Sequence, residues 1–340
     1  MIVKKIAVSK AFPKIDTLRE LTFPERKNEG FYPVFYDIET TGLARYTSSL
    51  YLIGAVKYEG QSWQLYQWLG ENKEEEPALL KAFSAFLEDC SCTIQYNGDR
   101  FDQPYLEARY AANGLPNPFT DLPSLDLYKK LKPLAPLFKL THMKQPDLEV
   151  FLGRPARTYC NGKKCVSLCQ SFWRQNSPQD GEILLGHNRE DLLGLGEVTG
   201  LLGYLCLYNG SYKLKSFTLE EETVFVILSL PFLLPQVISN GCEEFYLTAK
   251  GQEARLSIRQ KDGRLRMYYE NYKDYDYLPG EDTAISKSLS QFIDRSLVVP
   301  AKPDTCYTWF TCEESFLSSP SRQLAYIRRA LPHLLSLLKS

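Results

Sequence analysis

From residue 31 the chain falls into short runs whose apolar and polar positions change period. FYPVFYDIE (31–39), LYLIGAVKYEG (50–60) and SWQLYQWLG (62–70) are rich in β-branched and aromatic residues and are separated by turn-prone pieces, which predicts three strands. Connections this short favour antiparallel pairing. In EEEPALLKAFSAFLEDC the apolar positions 79, 80, 83, 86, 87 and 90 follow helical spacing, with acids filling the first turn. CTIQYNG (92–98) predicts a fourth strand, and FDQPYLEARYAANG (101–114) a helix ended by Gly114. SLDLYKKL (124–131) suits a fifth strand or a short helix, and the balance lies toward strand. Residues 140–206 read as mostly helical, in THMKQPDLEVFLG, CVSLCQSFWRQ and GHNREDLLGLGEVTGLLGYL. This order predicts an α/β domain over 31–210, a mixed five-stranded sheet flanked by helices, after a polar lead-in of residues 1–30.

Beyond residue 210 the grammar changes. EFYLTA, ARLSIRQ and LRMYYENYKDYDYLP alternate, and Lys261-Asp262-Gly263-Arg264 predicts a hairpin turn between the last two. AISKSLSQFID predicts a helix. A C-terminal amphipathic helix follows, with apolar positions 324, 327, 331, 334, 335 and 338 and a kink at Pro332. Residues 215–340 thus form a smaller α+β domain with no acidic cluster. Its Tyr-rich run 268–277 is either a stacking surface for bases or ordinary packing, and packing is the simpler reading.

Composition narrows the class. At 340 residues the chain has room for two cores, and 24% charged residues with 44% hydrophobic ones are ordinary for globular protein. A net charge of −1 advertises no basic field, so a nucleic-acid partner would need a local cationic groove or metal ions. MIVKKIAVSKAF lacks the apolar core and cleavage site of a secretory signal. TVFVILSLPFLLPQVI (223–238) is too short to span a bilayer comfortably and is broken by Pro231 and Pro235, so it reads as a buried helix or strand. Nine scattered cysteines suit reduced thiols in a cytoplasmic setting.

Three pieces carry candidate chemistry. In YDIETTGL (36–43), Asp37 and Glu39 stand at i and i+2, on one face of a strand about 7 Å apart. Two carboxylates so placed are either a solvated strand end or ligands of a hard divalent cation such as Mg²⁺ or Mn²⁺. In YNGDRFDQPYL (96–106), Asp102 starts a helix after a strand, as a capping residue or as a further ligand. In HNREDLLGL (187–195), His187 and Asp191 are i and i+4 on a helix and share a face, as a surface pair or as part of a site. Cys160, Cys165 and Cys169 form C-x₄-C-x₃-C, which lacks a CxxC pair and reads as helix cysteines rather than a thiolate metal site.

Jointly, DIETTG, YNGDRFDQP and HNRED resemble the three motifs of the DEDD exonuclease superfamily, and most closely its YprB-type ribonuclease-H-like family. The resemblance covers residues 31–208. It implies a ribonuclease-H-like fold, with Asp37, Glu39, Asp102 and Asp191 binding two Mg²⁺ or Mn²⁺ ions and His187 acting as general base. It implies hydrolysis of DNA or RNA from single-stranded 3′ ends. It also implies nucleic-acid contacts from Thr40, Thr41, Gly42, Leu43, Asn97 and Phe101, with Leu43 wedged against a base and the backbone N–H groups of its loop on the sugar-phosphate. The third motif departs from the better-known Tyr-x₃-Asp and His-x₄-Asp forms, because His187 stands at the tyrosine's spacing; Asn188 is a second polar candidate there. The basic loop RPARTYCNGKK (154–164) is either a source of phosphate contacts or a solvated loop. A structure-specific endonuclease and a non-catalytic adaptor on the same fold are the rival expectations.

Overall fold

Six strands make the first sheet: β1 (Ile2–Ala7), β2 (Pro33–Thr40), β3 (Leu50–Glu59), β4 (Ser62–Leu69), β5 (Cys92–Gln95) and β6 (Ser124–Asp126), in the order β1-β4-β3-β2-β5-β6. The computed structural model describes residues 1–25, 30–159 and 162–338. β2, β3 and β4 pair antiparallel, as their short connections require, whereas β5 and β6 run parallel to β2 after helical crossovers. The helices up to residue 198 are α1 (Ile15–Thr22), α2 (Glu76–Leu87), α3 (Asp102–Ala112), α4 (Leu127–Leu131), α5 (Ala135–Phe138), α6 (Gln145–Phe151), α7 (Gly162–Gln175) and α8 (Pro178–Val198).

The sheet is covered on both faces. Val34, Tyr36 and Ile38 of β2 share a core with Leu79, Leu80 and Phe83 of α2 and Tyr105 and Tyr110 of α3. On the other face Tyr51, Leu52 and Leu69 pack with Cys165, Cys169 and Phe172 of α7 and Leu184 and Leu185 of α8. α8 starts where Ser177 Oγ accepts the N–H of Asp180 (3.3 Å) and Pro178 occupies the first turn.

The mixed sheet and flanking helices match the expectation, with two local differences. The lead-in contributes a sixth strand, because β1 closes the open edge of β4 in register from Ile2 with Leu69 to Ala7 with Gln64. SLDLYKKL is split: three residues pair with β5, then Asp126 accepts the N–H of Tyr128 (2.9 Å) and starts α4.

The chain divides into Met1–Pro133 with His142–Leu202, and Leu134–Thr141 with Gly203–Ser340. The second unit has an antiparallel sheet of β7 (Lys213–Glu220), β8 (Thr223–Ser229), β9 (Ile238–Gly241), β10 (Phe245–Lys250) and β11 (Glu253–Arg259), ordered β7-β8-β11-β10-β9. It also holds α9 (Cys206–Asn209), β12 (Arg264–Tyr268), β13 (Tyr275–Leu278), β14 (Thr283–Ser286), α10 (Lys287–Ser290), β15 (Val299–Pro300), β16 (Tyr307–Thr311), α11 (Glu314–Leu317) and α12 (Pro320–Ser336). The 223–238 run is therefore strand β8 and the approach to β9. The turn at Asp262-Gly263 forms with both residues at positive φ, but β11 and β12 do not make the expected hairpin. β12 pairs instead with β16, and β11 stays with β8 and β10. AISKSLSQFID is also corrected: its first residues extend as β14 against β13, and one helical turn follows. In the Tyr-rich run, Tyr268 stacks on His333 (4.1 Å) and Tyr269 on Tyr275 (4.3 Å), so these rings pack within the unit. Among the described residues no helix is long and apolar enough to cross a membrane.

Candidate active site

Strand periodicity decides where the first two acids face. With Val34, Tyr36 and Ile38 committed to the α2–α3 layer, Asp37 and Glu39 turn to the opposite face, under α8. A register shift between Glu39 and Thr40 breaks the β2–β3 ladder at that point and frees the strand end.

The residue beside Asp37 on β3 is Gly54. Its missing side chain is what lets α8 approach, since a Cβ there would lie 2.0 Å from Asn188 Oδ1 and 2.6 Å from Leu192 Cδ1. Asn188, fully buried, donates through Nδ2 to Asp37 Oδ2 (2.9 Å) and accepts from Gln67 Nε2 (2.9 Å). Gln67 is fixed in turn on the carbonyl of Leu185 (2.8 Å). One helical turn along the same face, His187 and Asp191 reach Glu39. His187 Nε2 lies 3.4 Å from both Glu39 Oε1 and Asp191 Oδ2. One ligand atom from each of Glu39, His187 and Asp191 falls within 4.8 Å of the others. Tyr51 Oη donates to the second oxygen of Glu39 (3.4 Å). His187 Nδ1 is buried and has no hydrogen-bond partner among the described residues, so Nε2 is the polar end the ring offers to the acids.

Asp102 arrives from the other layer, at the first turn of α3 just past the exit of β5. Its carboxylate accepts the main-chain N–H groups of Ile38 and of Asp102 itself, which ties it to the strand carrying Asp37 and Glu39. Asn97, at that exit, takes a left-handed φ of 60° and donates its N–H to Asp126 Oδ1 (2.8 Å). The site thus lies at the carboxyl ends of the parallel strands.

Electrostatics bind the acids into one group. Burial pushes Asp37 well above its usual range, and the charges of Asp191, Asp102 and Glu39 push it further while Asn188 opposes. Glu39 is raised by burial and by Asp191 and Asp102. Asp102 is pushed up to about 7, chiefly by burial, with Asp126 and Asp191 adding to it and the two N–H donors opposing. Asp191 is raised by burial but held down by Arg157 and His187. Four acids that disfavour their own charges, with an imidazole beside them, are a donor set for a hard divalent cation, which would remove the repulsion. The residues therefore fit Mg²⁺ or Mn²⁺. Asp37 and Asp102 stand one step outside the tight Glu39–His187–Asp191 cluster, each held by its own hydrogen bonds.

Thr40, Thr41 and Gly42 form a braced loop rather than a row of open donors. Thr40 Oγ1 bonds the Gly42 carbonyl (2.9 Å), and the Thr41 N–H is used by the Ser49 carbonyl (2.9 Å), which withdraws that group from the expected phosphate contact. Beyond it Leu43, 84% exposed, and Phe101 line a groove of about 410 Å³ with Arg45, Tyr46 and Arg100. Sequence reasoning missed several supports: Gln67, Tyr51, Asp126, Glu149 and the role of Arg157. Gly54 inside the apolar run LIGAV was the available signal for the close approach of α8. Arg157, read only as one charge of a basic loop, donates to Asp191 Oδ1 and to Glu149. Of the three helix cysteines, Cys165 and Cys169 are buried in the α7 core, burial pushes Cys169 up to about 12, and Cys160 lies outside the described residues.

The family model described as the RNase H superfamily matches residues 34–202. Among curated proteins none matches the sequence. Among solved structures, the chain is similar to the family B DNA polymerase from the hyperthermophilic archaeon Pyrobaculum calidifontis, at 19% identity and TM-score 0.43, over 53% of this chain and 26% of the polymerase. It thus spans about a quarter of that protein's length. It is also similar to an exonuclease I structure described as suggesting how processivity is achieved (11%, TM-score 0.35, 92% of this chain and 74% of that one) and to an ExoI/SSB-Ct complex (12%, 0.30, 91% and 73%). Through residues 34–202, which carry the whole acidic cluster, the chain belongs to the ribonuclease H superfamily.

Proposed function

We propose that this protein is a divalent-metal-dependent nuclease that hydrolyses phosphodiester bonds at the 3′ ends of single-stranded or frayed DNA or RNA. The observation that supports this most directly is the meeting of Glu39, His187 and Asp191 within 4.8 Å, with Asp37 and Asp102 electrostatically joined to them. Glu39 and Asp191 would hold one ion, and Asp37 and Asp102 would add the oxygens for a second, which leaves His187 Nε2 for the water. Such ions, when bound, supply a water of lowered pKa and neutralise charge at the leaving oxygen. His187 is placed to orient that water or to take its proton, since its ring lies among the acids with Nε2 facing them. Asn188 and Tyr51 keep Asp37 and Glu39 in position. Leu43, Phe101, Tyr46 and the two arginines of the adjoining groove offer apolar surface for a base and cations for phosphates.

The test is a panel of single- and double-stranded DNA and RNA, blocked at either end, with a circular strand beside them, in Mg²⁺ and in Mn²⁺. Metal-dependent loss of nucleotides from free 3′ ends, with the circle intact, is the expected result. Cutting of the circle would make the enzyme an endonuclease. No hydrolysis and no metal affinity would leave an adaptor.

A further inference from the structure

Beside the acids lies a second built arrangement that the proposed chemistry does not use. Glu149 on α6 is almost wholly buried, its side chain 4% exposed. It accepts from Arg157 Nε (3.0 Å) and Nη2 (2.8 Å) and from Gln145 Nε2 (2.9 Å). Gln145 also donates to the carbonyl of Asp191 (2.7 Å). α8 makes room for this carboxylate with Gly194, where a Cβ would lie 1.8 Å from Glu149 Oε1. The segment bearing Arg157 is tied down as well: the N–H groups of Thr158 and Tyr159 donate to the carboxylate of Glu190 (2.8 and 3.1 Å). Arg154 Nη1 donates to the Glu190 carbonyl (3.3 Å). From this anchored position the remaining fork nitrogen of Arg157, Nη1, reaches Asp191 Oδ1.

The two oxygens of Asp191 are therefore divided: Oδ1 belongs to Arg157, and Oδ2 faces His187 and the acids. We infer that Arg157, clamped on Glu149, is a positioning residue that limits Asp191 to one donor oxygen and so biases the site toward Mg²⁺ and Mn²⁺ over Ca²⁺. The inference rests on the reading of the acidic cluster as a metal site. The chemical reason is coordination. Ca²⁺ accepts carboxylates through both oxygens in loose, high-coordinate shells, whereas Mg²⁺ demands near-octahedral single contacts. A carboxylate with one oxygen already committed satisfies the second kind of ion better than the first. A guanidinium suits the task because its planar fork spans Glu149 and Asp191 together, and an ammonium has no such geometry.

The experiment is calorimetric titration of the purified full chain with Mn²⁺ and with Ca²⁺ in parallel, for wild type, Arg157→Gln and Arg157→Lys, with circular dichroism to confirm folding. In Arg157→Gln, Mn²⁺ affinity is expected to fall about tenfold, the scale for losing a ligand's supporting hydrogen bond. Ca²⁺ affinity should hold or rise, so that the Mn²⁺/Ca²⁺ ratio drops at least about tenfold. Arg157→Lys should show the same lowered ratio, because the charge stays and the fork is gone. Equal loss for both ions would reduce Arg157 to a general support and overturn the inference, as would full recovery of the ratio by lysine. A wild-type protein that binds Mn²⁺ and cleaves nucleic acid, yet whose variants keep the ratio, defeats this inference alone. A wild type that binds neither ion defeats the metal reading with it.

Discussion

Replacing Asp102 by asparagine removes one charge from the buried group while keeping its shape and its ability to accept the N–H of Ile38. The carboxyl rises from its ordinary 3.8 to about 7 in the folded chain, mainly through burial. A folded-state value above the unfolded one means that the native protein holds this proton more tightly. The resulting stability is fully present below pH 3.8 and is lost as pH climbs through about 7. At about 1.4 kcal/mol per unit, that span is worth about 4 kcal/mol in metal-free protein. Depressed acids such as Glu59, at about 2, lose their contribution only as pH falls below the ordinary carboxylate range, so they act outside this window. Urea denaturation in excess chelator, at steps from pH 4.5 to 8, isolates the effect as the difference between Asp102→Asn and wild type. The two should be close at the acid end. The variant should be more stable by a few kcal/mol at pH 8, and its own curve should be flatter. Relief of Asp37 and Glu39, which feel the Asp102 charge, adds with the same sign. A difference that does not grow between pH 4.5 and 7 would mean that Asp102 is ionised without penalty, and the picture of a repelling buried group would fail. With metal and substrate present, the same variant should lose cleavage.

Gly54→Ala should lower stability by about 2–3 kcal/mol, the scale of overpacking, because the new methyl meets Asn188 and Leu192. Its urea midpoint would fall at unchanged slope and Mn²⁺ affinity would fall with it; wild-type values for both would show that α8 need not sit so close to β3. Arg45→Ala with Arg100→Ala should reduce the log–log salt dependence of oligonucleotide binding by about 1.4, two phosphates on a single strand. An unchanged slope would take the groove beside Leu43 and Phe101 off the strand's path.

What could be read from the chain was what local period and motif order control. Asp37 and Glu39 had to share a face once the strand was recognised, and His187 and Asp191 had to share one once the helix was. Their convergence came through motif order, which matched a family pattern that spacing alone does not contain. The lost features are those settled between distant segments. β1 was hidden because Lys4-Lys5 interrupts its alternation, and its pairing is fixed by the open edge of β4 some sixty residues on. The 261–264 turn has the backbone for a hairpin, yet β12 finds β16 instead, a choice made by tertiary packing. Arg157 looked like a solvated charge because nothing in its neighbourhood marks Glu149 as buried. The burial of Glu149 depends on Gly194, in the middle of another helix.

The glycines and the amides explain why this face can carry so many acids. Left to themselves, Asp37, Glu39, Asp102 and Asp191 would relax apart toward water, since burial disfavours the charge on each before any neighbour is counted. Each is instead held by a donor from a different element: Asn188 on α8 for Asp37, Tyr51 on β3 for Glu39, the Ile38 N–H on β2 for Asp102, Arg157 for Asp191. Three of these donors are neutral and fix position without cancelling charge. The fourth, Arg157, is a cation that bonds Asp191 and opposes the rise of Asp191 and of Glu39. Hydrogen bonds so arranged hold the four carboxyl groups in place while burial favours their protonated forms. On the proposed reading, burial and mutual repulsion would favour the entry of a divalent ion, because the geometry that the ion would otherwise have to impose is already held by hydrogen bonds.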